Sequence, residues 1–328
     1  MKKIIGIDLG TSNTIIYVPK KGIVFNEPTV VALNKDNKKV ESYGYLAFKL
    51  LGKESSSIEV IKPMKNGVIA DGPATVSYLN AILSDLKLLR YVKNSTIIFA
   101  CPSEFSQIER SALRNVGRKL KCNDVIMKSS SYFTAIGGNK DGSANKGTLV
   151  LNIGGGISDI SILTNGEAII SKSCSFSGQV LDNAIIRHLR KNHHILIGTK
   201  TAEYIKMKIG SVEFFPENRL LEVSGIDIVS SLPHSVVIST AEIKSCILPC
   251  FQVLVDTLLD CLELTPPEVA SDLIESGLIV GGGGALLAGL REYLENALNM
   301  AIRILPEPGS AVSQGIKILM HQEMSKDK

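Results

Sequence analysis

Three glycine-rich turns carry the residues best suited to binding an anion. The first, Gly6-Ile7-Asp8-Leu9-Gly10-Thr11-Ser12-Asn13-Thr14, follows an apolar run. Small residues there let successive backbone N–H groups converge on an anion, and the hydroxyls of Thr11, Ser12 and Thr14 add donors. Asp8 is placed to hold a hydrated Mg²⁺, an ion that usually keeps several of its waters. The second turn, Gly154-Gly155-Gly156, follows Leu149–Asn152 and offers a matching cradle. The third, Gly281-Gly282-Gly283-Gly284, follows Leu278–Val280, and its bare backbone can lie against a purine and ribose. A single such turn carries little information, since glycine-rich turns mostly just turn. Three in this order, each after an apolar run, predict a nucleotide held between two lobes.

The elements that must position these turns are readable from period. Ile4–Asp8 with Ile15–Val18, and Leu149–Asn152 with Ile160–Leu163, each read as strand, small-residue turn, strand. Two such hairpins suggest a duplicated lobe. Phe105, Ile108, Ala112, Leu113, Val116 and Leu120 fall at helical spacing, as do Val180, Leu181, Ala184, Ile185 and Leu189. A third helical pattern, Ile243 to Leu262, should kink or break at Pro249. Ile97–Ala100 and Leu278–Val280 are continuous apolar runs, as expected of strands covered on both faces. Strands alternating with helices give an α/β class with a mixed sheet. The most linker-like stretch, Gly138–Gly147, is the expected lobe boundary.

Composition narrows the functional classes. A chain of 328 residues is long enough for two cores. With 45% hydrophobic and 21% charged residues it is globular in type. The net charge of +4 comes from scattered basic residues, which argues against a nucleic-acid partner. Two lysines and a short apolar run at the N-terminus do not make a signal peptide, and no uninterrupted apolar run reaches the roughly 18 residues of a membrane span. The expected location is cytoplasmic. Six dispersed cysteines without a CxxC pair suggest neither a zinc site nor a disulfide framework. Cys246 and Cys250, one helical turn apart, read as small apolar residues of a buried helix. The adjacent His193 and His194 point in different directions on any regular element and make a poor metal pair.

Several segments, taken together, resemble the MreB family of bacterial actins: GIDLGTSNT, GIVFNEPTVVAL, VIKPMKNGVIAD, NIGGGISD, TAEYIKMKIGS, LTPPEVASDLIESGLIVGGGGALLAGL and EPGSAVSQG. The likeness runs almost end to end. It implies the two-lobed actin/Hsp70/sugar-kinase fold with four subdomains and a central nucleotide cleft. The expected division is 1–31 with 67–143 and 310–328, then 32–66, then 144–177 with 241–309, then 178–240. By the same likeness Gly10, Thr11, Ser12 and Asn13 with Gly154, Gly155 and Gly156 cradle the phosphates of ATP. Asp8, and Asn152 through a bound water, serve Mg²⁺. Glu203 and Lys206, one helical turn apart on one face, hold the ribose and adenine edge opposite Gly282, Gly283 and Gly284. On residue types alone, Glu203 and Lys206 read as an exposed ion pair.

The sequence departs from the family where hydrolysis occurs. The family reads Glu-Glu-Pro ahead of Ala-Ile-Gly, and its second Glu orients or activates the attacking water. Here Ser129-Ser130-Ser131 precede Ala135-Ile136-Gly137, so Ser130 stands at the catalytic position. The second phosphate turn of the family begins with Asp and follows its glycines with Thr-Thr, where this chain has Asn152, Ile157 and Ser158. The resemblance therefore implies a filament-forming protein that binds ATP and hydrolyses it weakly. The alternatives are a competent ATPase with a substituted base, Asp159 or Glu104, and a small-molecule kinase of the same superfamily. Expected partners are further copies of the chain, paralogous actins and the inner membrane face. The family's hydrophobic loop falls at Leu88-Leu89-Arg90-Tyr91-Val92-Lys93, with Leu88, Leu89 and Tyr91 as candidate contacts. The other reading of that stretch is the end of a buried helix.

Overall fold

The computed structural model describes residues 3–138, 146–213 and 218–325. Most of the sequence-predicted lobe boundary (139–145) and the C-terminal 326–328 lie outside the described residues.

Two five-stranded sheets share one plan. In the first, the order is Asp124–Ser129, Thr96–Cys101, Ile4–Leu9, Asn13–Val18, Gly22–Pro28. In the second it is Ile302–Ile304, Leu278–Gly281, Thr148–Ile153, Ser158–Thr164, Glu167–Cys174. Both have three parallel strands followed by an antiparallel meander. Asp8 faces Ile15 across the first hairpin, and Asn152 faces Asp159 across the second. The turns thus occupy equivalent places in two copies of one design. Ile5, Ile7, Ile97 and Phe99 in one sheet, and Leu149, Leu151, Leu278 and Val280 in the other, are fully buried. That burial explains why these strands read as unbroken apolar runs.

Helices cover the faces. Gln107–Lys119 opens with a reciprocal cap in which the Ser106 hydroxyl accepts the Glu109 N–H and the Glu109 carboxylate accepts the Ser106 N–H. Its buried face holds Leu113, Val116 and Gly117, while Ile108, which shares their spacing, is 83% exposed. The third helical pattern breaks as Pro249 requires: Thr240–Ile247, a 3₁₀ segment Leu248–Phe251, then Gln252–Glu263. Thr240–Glu263 is also, among the described residues, the one helical run with the length and apolar character of a membrane span. Ile243, Ile247, Phe251, Leu254 and Leu258 lie inside the second core, as in the core helix of a globular protein. Helices Ser130–Gly138 and Ala311–Ser325 pack on each other between the two halves. Smaller sheets sit beyond the large ones: Val40–Tyr43, Val31–Asn34 and Ile58–Ile61 in one half, and Ile195–Leu196, Leu220–Asp227 and Pro233–Ser239 in the other.

Candidate nucleotide cleft

The two hairpin tips close in the same way. Gly10 N–H donates to Asn13 O at 3.0 Å, and Gly154 N–H donates to Ile157 O at 2.9 Å. The tips meet face to face. A Cβ on Gly155 would collide with Ser12, and one on Gly156 would stand 2.5 Å from Thr11 Oγ1, so side chains at either position would force the tips apart. The Thr11 hydroxyl accepts the Gly67 N–H at 2.8 Å, which ties a neighbouring turn to the same place. Behind the second tip, helix Gly178–Asn192 begins with its amides pointing at the turn. Gly178 N–H donates to Gly154 O at 3.1 Å, and Gln179 N–H to Gly155 O at 2.9 Å. Ser177 caps this helix by accepting the Val180 N–H. The helix start thereby fixes the turn and brings a positive dipole end to the cleft.

These elements enclose a cavity of about 710 Å³ lined by all three glycine turns, the size of an ordinary small-ligand or cofactor pocket. Gly10 to Asn13, Gly154 to Gly156, Glu203, Lys206, Gly282 to Gly284, Asp8, Asn152, Ser130 and Ile157 all line it. The sequence-predicted site is therefore one place. In the third turn, Gly282 has φ +84° and its N–H donates to Pro308 O at 2.7 Å, holding the backbone flat against Ile153 O. Gly283 has open space where its Cβ would be, so bare backbone faces the cavity there.

One expected contact is not made. Lys206 does not pair with Glu203. Its ammonium lies 2.7 Å from Asp182 Oδ1 and donates to Gly178 O at 3.0 Å. Asp182 Oδ1 has no well-aligned hydrogen bond, so this is a contact ion pair. Burial raises the Asp182 carboxyl, and the Lys206 charge opposes that. Asp182 is the cleft residue that sequence reasoning missed, because its partner is 24 positions away on another helix. Its one signal is polarity on the face of Val180, Leu181, Ala184 and Ile185.

Around Ser130 the carboxylates among the described residues are already engaged. Ser130 lines the cavity, and its hydroxyl donates to Cys101 O at 3.3 Å. Its neighbours turn away. Ser131 Oγ lies 3.0 Å from Ser129 Oγ, 2.9 Å from Ser103 Oγ and 2.7 Å from Ser161 Oγ, and Ser161 Oγ lies 3.1 Å from Ser171 Oγ. Ser129 and Ser131, on either side of Ser130, thus belong to a hydroxyl chain that crosses from one half to the other. Asp159 lines the cleft but is 1% exposed, and its Oδ1 accepts the Ser103 N–H at 2.6 Å and the Ser173 hydroxyl at 2.7 Å. Desolvation raises its carboxyl to about 6. Glu104 is exposed and accepts the Ser173 N–H at 2.9 Å. Ile157 presents a branched alkyl group beside Gly67.

Asp8 lies at the floor of the cleft, where desolvation raises its carboxyl to about 7. A carboxylate in that position fits a cation, which would restore its charge. Asn152 is buried beside the Thr134 hydroxyl, 3.2 Å away, and offers an acceptor oxygen without charge.

The candidate membrane contacts are corrected in part. Leu88 is packed in the first core, and the Tyr91 hydroxyl donates to Ile4 O at 3.1 Å. Leu89 remains exposed. The stretch holds one helical turn, Leu89–Val92, anchored by the buried Leu88 and Val92 with Leu89 facing out.

Comparison with known proteins agrees with this geometry. Residues 2–328 match the family described as MreB/Mbl protein. The cell shape-determining protein Mbl of Bacillus subtilis is 34% identical over 318 residues, covering 96% of this chain and 95% of that protein. The crystal structure of MreB 5 of Spiroplasma citri bound to AMPPNP superposes with a TM-score of 0.93 at 33% identity, covering 100% of this chain and 99% of that one. A MamK double helical filament subunit matches with a TM-score of 0.82 at 18% identity over 97% and 98% of the two chains, a likeness of fold. The chain folds as a two-lobed actin, and it belongs to the MreB/Mbl family of bacterial actin-like cytoskeletal proteins.

Proposed function

We propose that this chain binds ATP with Mg²⁺ in the central cleft and assembles with copies of itself into filaments that serve cell shape or motility, while hydrolysing the nucleotide slowly. The observation that carries the reading is the contrast within one cavity. Both phosphate turns and the Gly282–Gly284 platform line it, yet a serine and an isoleucine stand where hydrolysis needs a carboxylate and a hydroxyl. The AMPPNP bound by the Spiroplasma citri relative supports the ligand class, and the MamK filament supports assembly.

In this reading the tip amides of residues 11–13 and 155–157 grip the phosphates. Asp182 orients Lys206 toward the ribose side, and Glu203 closes the same edge. Asp8 supplies the carboxylate toward Mg²⁺, which when bound neutralises phosphate charge. Ser130 has no basic partner among the described residues, its hydroxyl donating to Cys101 O, and does not act as a general base. Asp159 is engaged by Ser103 and Ser173, and Glu104 by Ser173, so neither is free to replace it. The proposed division into four subdomains is supported by the two five-stranded and two three-stranded sheets.

A positioned general base contributes about 10²–10⁴-fold, or roughly 3–5 kcal/mol of barrier. Phosphate release from polymerising protein should therefore be slow in the wild type and rise by about 10²-fold or more in Ser130→Glu with Ile157→Thr. Pelleting with Mg-ATP, with filaments viewed by negative stain, tests assembly in parallel. A wild type that releases phosphate as fast as the double variant would refute slow hydrolysis. Failure to pellet under any nucleotide condition would refute assembly.

A further inference from the structure

We propose that His188, His193 and Glu242 form a binding site for a divalent transition-metal ion of the zinc type, on the second half of the molecule and outside the nucleotide cleft. His188 lies in the last turns of helix Gly178–Asn192, and His193 is the residue that ends it. His194 follows with φ +55°, turning the chain into strand Ile195–Leu196. As the helix cap, with its N–H donating to Leu189 O at 3.0 Å, His193 lies beside His188, ring centroids 6.3 Å apart, while His194 is exposed. Glu242 stands in the first turn of the facing helix Thr240–Ile247, where the Ser239 hydroxyl accepts its N–H at 3.2 Å. Both imidazoles point Nε2 at the same carboxylate oxygen. His188 Nε2 is 2.7 Å from Glu242 Oε1, and His193 Nε2 makes a still closer contact with that atom.

The donor set is specific in its chemistry. Three ligand atoms from three side chains lie within 4.8 Å of one another. Two imidazole nitrogens and one carboxylate oxygen suit Zn²⁺, Co²⁺ or Ni²⁺, whereas Mg²⁺ and Ca²⁺ take oxygen ligands and Cu⁺ takes sulfur. Both Nε2 atoms face one carboxylate oxygen; around an ion, all three atoms would become ligands of a common centre, leaving a fourth position for water. The Asn192 side-chain amide packs against the His188 ring, 3.2 Å from Nδ1 and 3.4 Å from Nε2, and limits how far the ring can turn. The side chains are 14%, 24% and 24% exposed, shielded yet open to an ion from solvent. An ion here would staple helix Gly178–Asn192, whose first residues hold the second phosphate turn, to helix Thr240–Ile247.

The test uses the full chain, untagged, stripped with chelator and titrated with Co²⁺ while visible ligand-field absorption is recorded, followed by displacement with Zn²⁺. A single ion per chain is expected. His188→Ala, His193→Ala and Glu242→Gln should each weaken binding by ~100-fold or more, since even outer-shell partners contribute about 10–100-fold. His194→Ala and Cys246→Ser should bind like the wild type. Absence of a Co²⁺ signal in the wild type, binding that survives all three ligand changes, or loss of binding in Cys246→Ser would overturn the site. X-ray absorption at the zinc edge of the wild type decides the matter even where a variant fails to fold. Scattering from two imidazoles without sulfur supports the assignment; zinc–sulfur scattering or no retained zinc rejects it.

Discussion

Asp159 stands opposite Asn152 in the second hairpin, at the place Ile15 fills opposite Asp8 in the first, so a buried carboxyl takes the position of an apolar side chain. Its carboxyl is raised to about 6 from the usual 3.8. Between these values the folded chain holds a proton that the unfolded chain has released, so stability falls as pH climbs from about 4 to 6 and stays lower above. The difference corresponds to about 3 kcal/mol of destabilisation near pH 7.5. Asp159→Asn keeps the oxygen that accepts from Ser103 and Ser173 and removes the charge. Urea unfolding should find the variant more stable than the wild type at pH 7.5, with the gap closing near pH 4; an equal gap at both values would rule out the ionisation account. At this scale residue type at a fixed spacing was enough to place Ser130 and Ile157 on the wall of the cleft. It was misleading where a long side chain chooses its partner. Glu203 and Lys206 share a helix face, yet the ammonium reaches Asp182 on the neighbouring helix, a choice that only tertiary packing decides.

The third glycine turn separates two roles within four residues. Gly282 combines φ +84° with backbone contact against Ile153, while Gly283 is unobstructed. Gly282→Ala should cost at least ~2 kcal/mol through strain and displacement of the strand, whereas Gly283→Ala should stay within about 1 kcal/mol of wild type. Thermal unfolding of the two variants side by side checks this, and a Gly282→Ala protein as stable as Gly283→Ala would contradict the packing described. Elements of this kind were readable in advance because their signals are local: apolar runs, small-residue turns and Pro249 as a helix break. The sheet order was not readable, because pairing Ile4–Leu9 with Thr96–Cys101, or Thr148–Ile153 with Leu278–Gly281, joins segments far apart in sequence. Period also overstated one contact. Ile108 keeps the spacing of the buried face, but the helix has only just begun there and that position overhangs the core.

Across the whole molecule the halves are joined beside the cleft by hydroxyls: Ser103, Ser129 and Ser131 from the first, Ser161 and Ser171 from the second. Ser131 and Ser161 are fully buried, so removing one oxygen leaves others unpartnered. Ser131→Ala should destabilise the protein by about 1–2 kcal/mol. Because the chain of hydroxyls is uncharged, that loss should be the same at low and at molar salt. Denaturation at two ionic strengths measures it, and a cost that vanished in salt would point to an ionic contact instead. Each hydroxyl in such a string can give a proton to one neighbour and take one from the next, and the roles can reverse along the line. A small twist of one half against the other would then re-thread the string rather than snap it. The glycine tips leave no such play, since even a Cβ on Gly155 would collide with Ser12. Any twist of one half against the other would therefore be taken up by the hydroxyls rather than by the tips.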